Sequence, residues 1–168
     1  MTRERIAALG YAYVALALPA FLLGPGHRNA QSALFTGAAF AFLWFLASLR
    51  ARLVRYDPDG FFVGVVVLGG AALIAVQAAA LLAGEPQFIA PAAGCEAAVI
   101  IGSSLAALHA RKVRPWVGKL GIAGGIAVLL LGICEGAADW TFVGTTFWAS
   151  SLGFMIWVLV TAAFLTRS

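Results

Sequence analysis

"FFVGVVVLGGAALIAVQAAALLAG", residues 61 to 84, contains no charged side chain, and Gln77 is its only polar one. Wound at 1.5 Å per residue, a run of this length covers the roughly 30 Å of hydrocarbon in a bilayer. Lipid offers no partner to a free amide or carbonyl, so a segment crossing there must close its own backbone hydrogen bonds as a helix. The stretch therefore predicts a membrane-spanning helix, and its neighbours predict more of the same.

Working outward, apolar runs recur over residues 6 to 23, 32 to 49, 61 to 83, 88 to 108, 116 to 134 and 142 to 165. The separators are short: "GPGHRNAQ", "RARLVRYDPDG", "GEPQ", "HARKVRP" and "EGAADW". The whole chain is 62% hydrophobic and 11% charged, with a mean hydropathy of +0.97. An ordinary soluble protein is about 45–50% apolar and about 25% charged, so a water-soluble core would have no way to cover this much apolar surface. The expected fold is an all-α membrane protein, residues 1–168 forming one domain of six transmembrane helices in a compact bundle.

Lys and Arg then set the orientation, because positively charged loops stay on the cytoplasmic side. With the amino terminus inside, that side collects Arg3, Arg5, Arg50, Arg52, Arg55, Arg111, Lys112, Arg114, Lys119 and Arg167, and only Arg28 falls outside. A different span count would scramble this alternation, so both termini are expected in the cytoplasm. The pI of 9.6 is thereby accounted for at membrane borders, where basic residues orient helices and attract anionic lipid. No recognition helix or basic patch interleaved with aromatics appears, so nucleic acid is not an expected partner. The first run begins like a signal peptide, but its apolar character continues through Phe21-Leu22-Leu23. It is read as a retained helix that Pro19 kinks near its outer end.

Two patterns lie inside this frame. "LRARLVR" at 49–55 and "LHARKVR" at 108–114 share five positions, and each precedes a helix with Val-Gly near its start and a Gly-Gly pair further on, Gly69-Gly70 and Gly124-Gly125. A duplicated helical hairpin would give that echo, as would the similarity of any two basic loops. Small residues spaced by four, Gly60/Gly64 and Gly121/Gly125, predict close helix packing.

Candidate chemistry is sparse and centres on Glu96, a carboxylate in an otherwise apolar run, "PAAGCEAAVIIGSS" at 91–104. Ionisable residues at membrane depth are costly and tend to mark function. Counted from the outer ends of their own segments, Glu96 and Gln77 come to similar depth. A hydrogen bond between them satisfies both with no transported species; the functional alternative is a proton or cation site. Glu85, Glu135 and Asp139 belong to the same outer side and would line a vestibule that concentrates cations.

His27 and His109, the only histidines, fall on opposite sides and cannot share a haem or a metal. Asp57 and Asp59 in "DPDG" read as turn residues ahead of a metal pair acting on a phosphorylated lipid. Ser103 and Ser104 have no partner base at a recognisable spacing. Cys95 and Cys134 read as packing residues, with a bridge left open. No catalytic residue, metal ligand or cofactor is assigned, although a hydrophobic ligand between helices stays open.

"FAFLWFLASLRARLVRYDPDG" at 40–60, "GVVVLGGAALIAVQAAALLAG" at 64–84 and "HARKVRPWVGKLGIAGGIAVLLLG" at 109–132 resemble the uncharacterised multi-pass membrane proteins of high-GC bacteria that are known only as domains of unknown function. Those carry a basic "LRARL"-like loop and a Pro-Arg-Trp-Leu-Gly-Trp-Leu-Gly-like opening of the fifth helix. Here that opening reads Arg114-Pro115-Trp116-Val117-Gly118-Lys119-Leu120-Gly121, without the Arg after Pro and without the second Trp. The resemblance implies a six-helix protein of a bacterial inner membrane with no established activity, and it carries over no catalytic residue. Together these readings predict a small non-enzymatic accessory or structural protein that packs against lipids, a membrane-protein partner or a second copy of itself. A proton- or cation-linked transporter or channel using Glu96 is the alternative, and a lipid-modifying enzyme a weaker one.

Overall fold

The computed structural model describes residues 3–23, 27–55, 57, 59–83, 89–111, 114–137 and 140–167. It is helical throughout, with no strand among the described residues. The six helices are α1 (Arg3–Leu22), α2 (Arg28–Leu53), α3 (Phe61–Ala83), α4 (Ile89–His109), α5 (Pro115–Ala137) and α6 (Trp140–Arg167). Five of them carry stretches long and apolar enough to cross a membrane; in α6 the described side chains form a shorter apolar run over Ser150–Ala163. At 1.5 Å per residue the 28 residues of α6 span about 42 Å. The chain is a multi-pass membrane protein.

Helix α2 extends several residues beyond its apolar run at both ends. Apolarity marks only the part of a helix that lies in hydrocarbon. The backbone ladder continues into the interface, where Arg50 and Arg52 in the last turn complement the negative end of the helix dipole.

The chain divides into two compact units. One comprises residues 1–49 and 155–168, hence α1, most of α2 and the last part of α6. Here α1 and α2 run antiparallel, fixed by a ladder of small and aromatic contacts. Tyr13 lies 5.0 Å from Phe42 ring to ring, Phe21 meets Phe35 edge-on at 4.9 Å, and Gln31 Nε2 donates to the Ala20 carbonyl at 3.2 Å. Gly10 is where the packing is closest: a Cβ added there would sit 2.9 Å from Ala162 Cβ and 3.2 Å from the Phe45 ring. Helix α1 continues through Pro19, and the Leu23 N–H closes the end on the Pro19 carbonyl at 3.0 Å.

The other unit, Arg50–Phe154, holds the end of α2, all of α3, α4 and α5, and the start of α6. Its centre is α4, which packs against α3 on one side and α5 on the other. Glycines set both seams. Against α3, Gly102 of α4 meets Val65 and Val66, and Gly69 of α3 meets Ala98 and Val99. Against α5, Gly118 faces Leu108, Gly121 faces the Ser104 hydroxyl, and a Cβ on Gly125 would lie 2.5 Å from Ile101 Cγ1 and 3.3 Å from the Ala97 carbonyl oxygen. Both pairs run antiparallel. The α5 spacing of three and then four residues keeps Gly118, Gly121 and Gly125 on one face, and Gly153 of α6 approaches Val128 of α5.

Candidate functional site

Glu96 is only 2% exposed and ranks among the largest fully buried side chains of the protein. Its position on α4 follows from the two seams. Ala98, Val99 and Gly102 address α3, whereas Ala97, Ile101, Ser104 and Leu108 address α5. At 3.6 residues per turn, Glu96, Ile100 and Ser103 share a third side that addresses neither neighbour, and all three are buried. The positions between the seams on the opposite side, Gly94 and Leu105, are half-buried. The carboxyl thus points away from the more exposed side of α4, the orientation that an ionisable group at membrane depth requires.

Gln77 is half-buried on α3. The register fixed by Gly69 against Ala98 and Gly102 against Val65 and Val66 sets Gln77 level with the first turn of α4. It is displaced from Glu96 by about six residues, or about 9 Å along the axis. The two groups are therefore not at one depth. Counting from the end of each segment assumed that neighbouring helices end at one height, whereas the α3–α4 register carries the end of α3 past the start of α4. Glu85 and Asp139 lie outside the described residues; Glu135 falls in the last turn of α5, and its side chain also lies outside them.

The "DPDG" segment resolves into a helix cap. Asp57 is 4% exposed, and its Oδ2 accepts the Val63 N–H at 3.0 Å. Its own N–H donates to the Leu53 carbonyl and its carbonyl accepts from Gly60, each at 3.0 Å. Gly60 sits at φ +69°, in the left-handed region that glycine enters without steric cost, and its carbonyl accepts the Gly64 N–H at 2.8 Å. Gly60 occupies the N-cap position yet has no side chain, so the carboxylate that satisfies an orphan N–H of α3 comes from Asp57 instead. The sequence signal was present in the Asp-rich tetrapeptide before an apolar run, and reading it as a turn captured the local chemistry but not the long reach of the cap.

The other candidates have local roles. Ser103 and Ser104 both donate to the Ile100 carbonyl, at 2.9 and 2.7 Å, which occupies both hydroxyl protons inside their own helix. His109 is exposed, with its ring 6.3 Å from Phe62, and His27 is exposed in the other unit. Cys95 and Cys134 are free thiols. Among the described residues no group of three or more His, Cys, Asp and Glu side chains could hold a metal ion.

The two similar basic connectors take different paths. After "LRARLVR" the chain turns through Asp57 and Gly60. Within "LHARKVR" α4 stops at His109, and Arg111 adopts φ 50°. Pro115 then begins α5, the first helical position, where a missing N–H costs nothing. The Gly-Gly pairs are alike in one respect: Gly69 and Gly125 each touch α4, from its two sides. No protein-family model, no curated protein and no solved structure matches the chain.

Proposed function

We propose that the protein is a small non-enzymatic accessory component of a bacterial inner membrane, with both termini cytoplasmic, that packs against a membrane-protein partner or a second copy of itself within the lipid. The observation carrying this reading is the way the chain is spent: nearly all of it is helix, and the connections between helices are two to seven residues long. The large apolar side chains of α5 that face away from α4, Leu120, Ile126, Leu130 and Ile133, are exposed, as suits a helix meeting lipid or another protein. Extraction from native membranes in mild detergent, followed by identification of everything that co-purifies, tests the reading. A stoichiometric protein partner or a stable homo-oligomer is the expected result; a monomer carrying no other protein counts against it.

A second reading draws support from the burial of Glu96 on the side of α4 away from the half-buried Gly94 and Leu105. In it the carboxyl serves as a proton or cation site, with Gln77 on the outer half of α3 and Glu85, Glu135 and Asp139 as a vestibule. Glu96→Gln preserves shape and hydrogen bonding while removing ionisation. Proton or cation flux into reconstituted vesicles that is present in the wild type and lost in this variant would establish the second reading over the first; equal flux in protein-containing and empty vesicles would end it.

A further inference from the structure

We propose that the exposed face of α5, from Arg114 at its head to Leu130, is a binding surface for an anionic phospholipid, with the headgroup phosphate among Arg111, Arg114 and Lys119. This rests on the membrane-embedded reading above and adds a ligand class and a place. The antiparallel seams bring the start of α3, the end of α4 and the start of α5 to one end of their unit, as the Phe62–His109 and Gly118–Leu108 contacts show. That end also receives Arg50 and Arg52 from the last turn of α2 and Arg55 from the connection that leads into α3. Arg50, Arg55, Arg111, Arg114 and Lys119 are all exposed there.

Negative charge at that end is scarce. Asp57 is buried and its carboxylate is engaged by the Val63 N–H, which leaves Asp59 as the exposed acid at that end of the unit among the described residues. The first turn of α5 holds no acid, so the positive end of its helix dipole adds to the basic field.

Below the charges, the face has the layering of a phospholipid. Gly118, Gly121 and Gly125 of α5 turn toward α4. On the opposite side come Trp116, 57% exposed, Lys119 one turn into the helix, Leu120 at 60%, the exposed Ala123 and Ala127, and Leu130 at 56%. A Trp at this level suits the headgroup boundary, and a Lys one turn in can extend its ammonium back to that boundary along its own alkyl stem. The alanines leave a shallow strip for an acyl chain between the larger side chains. Orientation alone would need only positive loops; it would not need a Trp, a Lys and an apolar strip on one exposed helix face.

The test uses full-length protein in mild detergent, stripped of native lipid, and titrated with dioctanoyl phosphatidylglycerol or dioctanoyl phosphatidylcholine while thermal unfolding is followed. Phosphatidylglycerol should bind more tightly, by roughly fivefold for each basic residue engaged, and the preference should shrink between low and high salt. The Arg111→Gln/Arg114→Gln/Lys119→Gln variant should lose most of it, whereas Arg3→Gln/Arg5→Gln, in the other unit, should keep it. Should the triple variant not fold, Lys119→Gln alone and the wild-type salt series decide. Equal response to the two lipids, an unchanged preference in the basic variants, or the same stabilisation by inorganic phosphate alone would overturn the proposal. Release of the protein from membranes by alkaline carbonate without detergent would instead overturn the membrane reading itself, so the two failures are distinguishable.

Discussion

Asp57 shows how far one carboxylate can be determined by its local backbone. A short polar linker has to start α3 at a glycine, Gly60, whose left-handed φ suits the turn but which offers no side chain to the first N–H groups. Asp57 reaches over that turn to Val63. Asp57→Ala should therefore destabilise the protein by about 1 kcal/mol, the usual scale of a lost cap, and Asp57→Asn should keep most of the stability because its amide oxygen still accepts. Thermal unfolding in detergent measures both; equal loss in the two variants would mean that charge, not the acceptor, is what matters. Glu96 contrasts with it: equally buried, but on a helix face that neither neighbouring seam uses.

At the scale of helices, one small-residue motif occurs twice with opposite outcomes. Gly121 and Gly125 lie in the α4–α5 seam, whereas a Cβ on Gly64 or on Gly124 would meet nothing within 4 Å. Gly121→Ala and Gly125→Ala should each cost about 1–3 kcal/mol, since an added methyl in a filled contact forces neighbours to move. Gly64→Ala and Gly124→Ala should be neutral or slightly stabilising, because Ala gives up less chain freedom than Gly on forming helix. Combining Gly125→Ala with Ile101→Ala should recover part of the loss. A double-mutant cycle with no coupling between these two positions would show that the seam does not depend on that contact. The spacing of the glycines was legible in the sequence; which of the two motifs met another helix was not, because a residue spacing names a face and does not say what that face meets.

For the molecule as a whole, the expectation that follows from the arginines is topological. Ten of the eleven basic residues fall on one side if the chain crosses six times starting inside. Reporter fusions at residue 1 and residue 168 should both report cytoplasm, and fusions within 84–88 and 138–139 the opposite compartment. A fusion at 84–88 reporting cytoplasm would invalidate the crossing pattern and, with it, the outer vestibule of Glu85, Glu135 and Asp139.

The sequence by itself determined that this chain lives in lipid, that it is helical, and where its helices lie. Those follow from a sum over residues, apolar area against charge, and from the need of each buried backbone to satisfy its own hydrogen bonds, so no knowledge of neighbours is required. The helix boundaries were recovered to within a few residues, with α2 the longest extension. Only the tertiary structure decided the relations among helices: that α4 is held between α3 and α5, that Gly69 and Gly125 touch it from two sides, and that Gln77 is set about two turns away from the level of Glu96. Register between packed helices depends on which side chains interdigitate, and where every residue is small and apolar many registers look alike until the contacts are formed.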